Sequence, residues 1–185
     1  MRTTQFSPVM RALAVCVGTF ALASTSFAAG DKAAYEGAKA TAKSTYEAAK
    51  AKCDAMSGNA KDICVAEAKA ARTRTEVDAE AVYKDTPKAR EHAVRESAEA
   101  DYKVAKQRCD DKTGNDKDVC IKVAKAALTK AKADAKVTRV STDAKTDAAK
   151  DKREAEYKVA AEKCDAITGD AKSACVKAAK AKYGM

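Results

Sequence analysis

The arrangement of apolar and polar residues divides the chain into a leader and a helical remainder. Residues 12–23 form an apolar run that follows two arginines. From residue 29 onward the apolar positions are mostly alanine, and they recur at steps of four and three residues, which is the spacing of an antiparallel coiled coil. Proline occurs only twice, and no alternating strand pattern is present. The pattern therefore predicts an all-α fold.

The leader has the features of a secretory signal peptide. Arg2 and Arg11 supply a positive charge, the apolar run is too short to span a bilayer, and Ser26 and Ala28 are small residues where a signal peptidase reads them. We expect residues 1–28 to be removed by cleavage after Ala28. A lipoprotein acylated at Cys16 is the alternative, although the preceding valine fits that processing poorly. The mature protein is expected to be periplasmic or secreted, with no transmembrane segment.

The remainder of the chain is a threefold internal repeat. It contains six cysteines in three pairs, each pair enclosing ten residues, and the pairs recur at offsets of 56 and 55. The flanking residues recur as well, in segments that begin at Tyr46, Tyr102 and Tyr157. A repeat of this kind predicts one supersecondary unit in three copies. The paired positions are Cys53/Cys64, Cys109/Cys120 and Cys164/Cys175.

Each copy carries a turn signal between its cysteines. A glycine stands where a helix can end in a left-handed residue, and the next residue is a good N-cap for a following helix. Each unit is therefore predicted to be a helix-turn-helix hairpin, in which facing residues have position numbers with a constant sum. The predicted turn residues are Gly58, Asn59, Gly114, Asn115, Gly169 and Asp170.

The hairpin geometry brings each cysteine opposite its partner and stacks small residues behind it. In the first unit, alanines face one another next to the cysteines, and Tyr46 faces Ala71 in the following layer. Alanine allows helices to approach as closely as a disulfide requires. Closing a loop of this length contributes about 3 kcal/mol in the chain-entropy account, which compensates for a core poor in large side chains. The same facing rule predicts two ion pairs, Lys39–Asp78 and Arg95–Asp134.

A thiolate metal site is the alternative reading of the cysteines. Structural zinc favours four ligands with close C-x2-C spacing, whereas each unit offers two thiols and the single histidine, His92, is remote. An exported protein favours disulfides instead. We therefore expect three local disulfides and no metal or cofactor.

Interruptions of the helical pattern predict how the chain is divided into helices and hairpin units. Thr86 and Pro87 read as a helix start, so one helix ends near Lys84. A weaker junction is predicted at residues 137–142, where β-branched residues cluster. This gives six helices in three hairpin units, elongated or loosely bundled. The predicted units are 29–85, 86–140 and 141–185.

The repeated motif C-D-x3-G-[ND]-x-K-x2-C, within Ala/Lys-rich helices behind a signal peptide, resembles a group of exported Ala/Lys-rich proteins of Gram-negative bacteria. Members are sometimes labelled cell-envelope biogenesis or TolA-like. The likeness to TolA itself is confined to composition. A looser similarity to desiccation-type LEA repeats is visible in DAKTDAAKDK from Asp143. The resemblance to the exported group implies a role in the cell envelope, but it is not specific for any activity.

The net charge of the chain and the absence of catalytic sequence motifs reduce the number of possible functions. The formal charge of +9 falls to +7 once Arg2 and Arg11 are removed, but acidic and basic residues alternate along the helices. No phosphate-binding loop or nucleophile motif is present, and His92 lies among charged residues. We expect a non-enzymatic structural or interaction protein of the envelope. Its partners would be anionic envelope components or envelope proteins, and not nucleic acid. The alternatives are an LEA-like stress protectant and a thiol-dependent metal-binding or redox protein.

Overall fold

The structure, a computed structural model, describes residues 30–185 and contains five α-helices joined by short turns. No strand occurs in this range, so the predicted all-α class is confirmed. The predicted signal peptide and Cys16 lie outside the described residues. The helices are α1 (Lys32–Cys53), α2 (Gly58–Lys84), α3 (Pro87–Cys109), α4 (Gly114–Cys164) and α5 (Gly169–Tyr183).

The helices pack in a single row in chain order. The pairs in contact are α1 with α2, α2 with α3, α3 with α4, and α4 with α5. Within residues 30–185, helices further apart in the chain do not approach within 8 Å at their Cα atoms. The result is an open row of antiparallel helices. Helices α2 and α3 are each covered on two faces, whereas α1 and α5 each contact one neighbour.

The junction between α2 and α3 is the one predicted. Helix α2 ends at Lys84, and Asp85 adopts a left-handed conformation with φ of 43°. The Thr86 hydroxyl then accepts a hydrogen bond from the Ala89 amide at 3.1 Å, and Pro87 is the first helical residue. Because proline lacks an amide hydrogen and favours the helical φ, it suits the first turn and starts α3 abruptly.

The predicted junction at residues 137–142 is wrong, because α4 is one continuous helix of 51 residues that includes them. The expected number of six helices is therefore corrected to five, and the boundary predicted between residues 140 and 141 lies inside a helix. No proline interrupts this stretch, and the Thr138 and Thr142 hydroxyls donate to the carbonyls of Asp134 and Thr138 at 2.9 and 2.8 Å. Threonines that bond back to the preceding turn are compatible with a continuous helix. At 1.5 Å per residue, α4 is about 76 Å long.

The buried side chains are small, as the composition predicted. In the described part of the chain, every residue buried below a tenth of its surface is alanine or cysteine, with the exception of Val104. A cluster of buried residues joins Ala70 of α2 to Ala100 and Val104 of α3, with Ala66 packed against it. Residues 144–153 of α4 are all exposed, because they lie between the part covered by α3 and the part covered by α5.

Among the helices of residues 30–185, none combines the length and the apolar character needed to cross a bilayer.

Candidate functional site: the disulfide-closed hairpin tips

Each of the three hairpins is closed near its tip by a disulfide, in the predicted local pairing. The Cα–Cα distances are 5.6 Å for Cys53–Cys64 and 5.7 Å for each of the other two bridges. These distances lie in the ordinary range for a disulfide. The first cysteine of each pair is buried and the second is half-buried. The disulfides therefore form part of the small interior of the protein. The remaining two bridges are Cys109–Cys120 and Cys164–Cys175.

The turn glycines have the positive φ that was predicted, but in a different role. Gly58, Gly114 and Gly169 have φ of 58°, 54° and 65°. Each is the first residue of the following helix, whereas the preceding helix ends five residues earlier. The chain therefore needs a left-handed residue where the second helix of each hairpin begins.

The predicted N-caps are wrong by two residues. Ser57, Thr113 and Thr168 stand immediately before the three helices, in extended conformation, and none of these side chains caps the helix by a hydrogen bond. The expected caps are therefore the second residues of their helices: Asn59, Asn115 and Asp170.

Asn59 instead joins two hairpins. Its side-chain amide donates to the Gln107 carbonyl at 3.0 Å and to the Asp111 carboxylate at 2.6 Å. Gln107 lies in the last turn of α3 and Asp111 in the turn that follows, so the start of α2 is tied to the tip of the second hairpin. Sequence reasoning from local turn chemistry alone did not predict this contact, because the residues are 48 and 52 positions apart.

An ion pair accompanies each disulfide. The aspartate after the first cysteine pairs with the lysine three residues before the second, at 3.0, 2.8 and 2.8 Å in the three units. The Lys61 ammonium hydrogen-bonds the Asp54 carboxylate and lowers the pKa of that carboxyl. The recurrence of D and K in the repeat motif was the signal for these pairs. They are Asp54–Lys61, Asp110–Lys117 and Asp165–Lys172.

The seam behind the disulfides follows the predicted layers for two steps. Ala68 and Ala179 are buried, and their partners Ala49 and Ala160 are half-buried. The tyrosines of the next layer, Tyr46, Tyr102 and Tyr157, are half-buried, but the residues predicted to face them are exposed. The predicted facing pattern therefore ends at the tyrosine layer, although Ala42 further along α1 is buried again. The exposed residues are Ala71, Ala127 and Lys182.

The ion pairs further from the tips differ from those predicted. Lys39 pairs with Glu36 at 3.4 Å, and Arg95 pairs with Glu91 at 3.6 Å, each within its own helix. A partner one turn away on the same helix is within reach without bridging two helices. The two predicted pairs are therefore wrong: Lys39–Asp78 and Arg95–Asp134.

Other ion pairs connect neighbouring helices. Lys132 of α4 pairs with Glu99 of α3 at 2.6 Å, and its hydrogen bond lowers the pKa of that carboxyl. Arg139 of α4 pairs with Glu91 of α3 at 2.5 Å. Between α2 and α3 the corresponding contacts are Glu67–Arg108 and Arg74–Asp101. These charges set the register between helices that share few large apolar side chains.

The spaces between helices are open grooves. One of them, of about 670 Å³, is bordered by α1, α2 and α3, with Ala70 and Ala100 at its base and Lys69 and Arg72 at its rim. His92 is exposed on α3. Within residues 30–185, no three His, Cys, Asp or Glu side chains are grouped as a metal ion would require. The six cysteines of this range are all in disulfides, so thiol chemistry at these positions requires their reduction first.

Comparisons with protein-family models, with curated proteins and with solved structures find no match for this chain.

Proposed function

We propose that the protein is a non-enzymatic structural or interaction protein of the cell envelope, exported and acting in the periplasm or outside the cell. The observation that carries this proposal is the open row of helices, in which packing uses only one or two faces of each helix. The rest of the helical surface is free to contact other molecules. A 51-residue helix about 76 Å long extends that surface over a distance useful for spanning or spacing.

The three disulfides support export. Such bonds persist in oxidising compartments and are rare in the cytosol. The leader adds to this support, because its charge, length and final small residues are those of a signal peptide. Mature protein recovered from a periplasmic or culture-medium fraction is expected to begin at Ala29. A chain that keeps residues 1–28 and remains with the cytosol would contradict the proposal.

The surface charge supports anionic partners. The described residues carry a net charge of +7, spread along an extended molecule. Attraction of this kind weakens as salt shortens the Debye length from about 30 Å at 0.01 M to about 8 Å at 0.15 M. The protein is expected to sediment with anionic phospholipid vesicles, to be released progressively as the salt concentration is raised, and not to sediment with zwitterionic vesicles.

Crosslinking in intact cells followed by affinity purification tests the interaction role. One envelope component is expected to be recovered reproducibly, and to be lost when the disulfides are removed by serine substitution. Equal recovery of many unrelated exported proteins, together with protection of an aggregation-prone client, would favour a stress protectant. Free thiols in the natively purified protein before reduction would favour metal or redox chemistry.

A further inference from the structure

Helix α4 carries an apolar stripe that no part of the described chain covers. Five of its valines are between 48% and 67% exposed, including Val137 at 67%. They recur with alanines at steps of three, four and seven residues, which places them on one face of the helix. The face that carries Ala135 and Arg139 is the one covered by α3. The α4 stripe consists of Val119, Val123, Ala126, Ala133, Val137, Val140, Ala144, Ala148, Ala155 and Val159, all of them exposed.

The internal repeat shows what covers such a stripe. Positions in the first half of α4 correspond to α2 at an offset of 56, and those in the second half correspond to α3 at an offset of 55. Ala126 thus corresponds to Ala70, and Val159 corresponds to Val104. In the α2–α3 interface, seven of the ten equivalent residues are alanines or valines that are buried or half-buried. These equivalents are Ala70, Val77, Ala81, Ala89, Ala93, Ala100 and Val104.

The two halves of the α4 stripe therefore fit one another. In the α2–α3 interface the facing position numbers sum to 170, as in the Asn59–Asp111 hydrogen bond. Applying both repeat offsets gives a sum of 281 for α4, which places Ala126 opposite Ala155 and Val137 opposite Ala144. A straight helix cannot bring its own halves together. The two halves meet only if a second molecule supplies one of them.

We propose that the α4 stripe is the interface of a homodimer, in which the α4 helices of two copies pack antiparallel about a two-fold axis between Val140 and Ser141. Each half of the stripe then contacts the other half of the partner copy, and the α2–α3 interface is reproduced twice. The same surface of both copies then forms the contact, as in other dimers with two-fold symmetry. The inference goes beyond the proposed function and does not rest on it.

Charged residues on the same face of α4 as the stripe meet residues of opposite charge on the other copy in this arrangement. Lys130 falls opposite Asp151 of the other copy, with Glu156 five residues further along the same helix. By the repeat offsets, Lys130 and Glu156 correspond to Arg74 and Asp101, which form an ion pair between α2 and α3. The two-fold axis generates this contact twice. Three positions depart from the α2–α3 pattern. Lys122 replaces Ala66, and its long side chain can extend from the edge of the interface. Val123 and Val140 stand where the first repeat has the exposed Glu67 and Asp85.

The face of α1 that points away from α2 would be a poorer partner for the α4 stripe. By the repeat it corresponds to the face of α3 that packs on α2, but it has Ser44 and Ala48 where α3 has Ala100 and Val104. Residues 142–164 keep Ala155 and Val159 at those two positions. The second half of α4 therefore offers more apolar surface than α1 does. Pairing through α1 would also produce an open head-to-tail series instead of a closed dimer.

The molar mass in solution, measured by light scattering during size-exclusion chromatography of the disulfide-intact mature protein, tests the dimer. Twice the chain mass is expected. The adjacent exposed alanines of α4 provide matched variants: Ala148→Glu places a charge inside the stripe and is expected to yield the monomer, whereas Ala149→Glu lies outside it and is expected to leave the dimer intact. Circular dichroism shows whether each variant remains helical.

A monomer at every concentration, a mass that grows beyond the dimer, or equal effects of the two alanine variants would overturn the proposal. Zero-length carbodiimide crosslinking of a mixture of isotopically light and heavy protein gives a second readout. Lys130 and Glu156 are about 39 Å apart along one helix, so a crosslink between them is expected to join light to heavy chains. A Lys130–Glu156 crosslink confined to single chains would instead show that the helix folds back on itself. That result would also overturn the proposed dimer.

Discussion

Glycine has two opposite effects in this chain, depending on the backbone conformation that each position requires. Gly114 has φ of 54° at the start of α4, and a Cβ there would meet no atom within 4 Å. The cost of a side chain at Gly114 is therefore purely conformational. Gly37 lies inside α1 with equally open space and an ordinary helical backbone. There, glycine only adds freedom to the unfolded chain.

We expect Gly114→Ala to lower the free energy of unfolding by about 1 kcal/mol, because L-residues are disfavoured in the left-handed region. Gly37→Ala is expected to raise it by about 0.5–1 kcal/mol, because alanine is the better helix former. Urea denaturation followed by circular dichroism measures both. The same sign for the two substitutions would contradict the role assigned to the turn glycine.

The tip ion pair makes a small part of the stability depend on pH. Lys61 lowers the pKa of Asp54 in the folded protein, so the contribution is present above the pKa of an unfolded aspartate and is lost as pH falls through the lowered folded value. In an NMR titration, Lys61→Met is expected to raise the pKa of the Asp54 carboxyl. Lys43→Met, at an exposed position of α1, serves as the control and is expected to leave it unchanged.

At the scale of elements, α5 depends on its disulfide more than the other helices do. It has 15 residues and packs only on α4, with Ala179 as its single buried residue. Isolated helices of this length are marginal in water. Helix α3, by contrast, is covered by both α2 and α4. The Cys164–Cys175 bridge therefore holds an element that its packing alone does not secure.

We expect replacement of Cys164 and Cys175 by serine to release α5 while the rest of the row stays folded. Amide hydrogen exchange in residues 169–183 should rise toward the rate of an unfolded segment, and exchange in α2 and α3 should remain slow. The matched variant replaces Cys53 and Cys64, and is expected to leave exchange in α5 unchanged. Protection of α5 that survives loss of its own bridge would show that packing suffices.

At the scale of the whole molecule, one junction determines the shape. The first repeat ends in Asp85, Thr86 and Pro87, and the chain reverses direction there. The equivalent residues of the second repeat are Val140, Ser141 and Thr142, and α4 runs straight through them. Without the proline, the helical hydrogen bonds continue, and the third hairpin extends away from the first two.

Restoring the break should therefore change the shape. In the triple variant Val140→Asp, Ser141→Thr, Thr142→Pro, we expect α4 to end near residue 139 and the third hairpin to fold back onto the first half of α4. Small-angle X-ray scattering should show a smaller maximum dimension than in the unmodified protein. Ser141→Thr alone is the control and is expected to leave the dimension unchanged. A triple variant with the same maximum dimension as the unmodified protein would contradict the role given to the proline.

The local parts of the fold and of the hairpin tips could be predicted from the sequence. Cysteine spacing, alanine steps and turn glycines act over a few residues, so the three disulfides and the Thr86–Pro87 helix start were recovered correctly. The N-caps were placed two residues too late, because the left-handed glycine was assigned to the end of one helix instead of the start of the next. The aspartate–lysine pairs were visible in the repeat motif but were not interpreted.

By itself the sequence determined the helical class, the three hairpins and their closure, because these follow from contacts between residues close in the chain. The tertiary structure decided how the hairpins are joined. Contacts such as Asn59 with Asp111 connect residues 52 positions apart, and weak β-branched signals at 137–142 did not outweigh continuous helical hydrogen bonding. No residue in this stretch removes a helical hydrogen bond as a proline would, and only the assembled row of helices shows which surfaces remain uncovered.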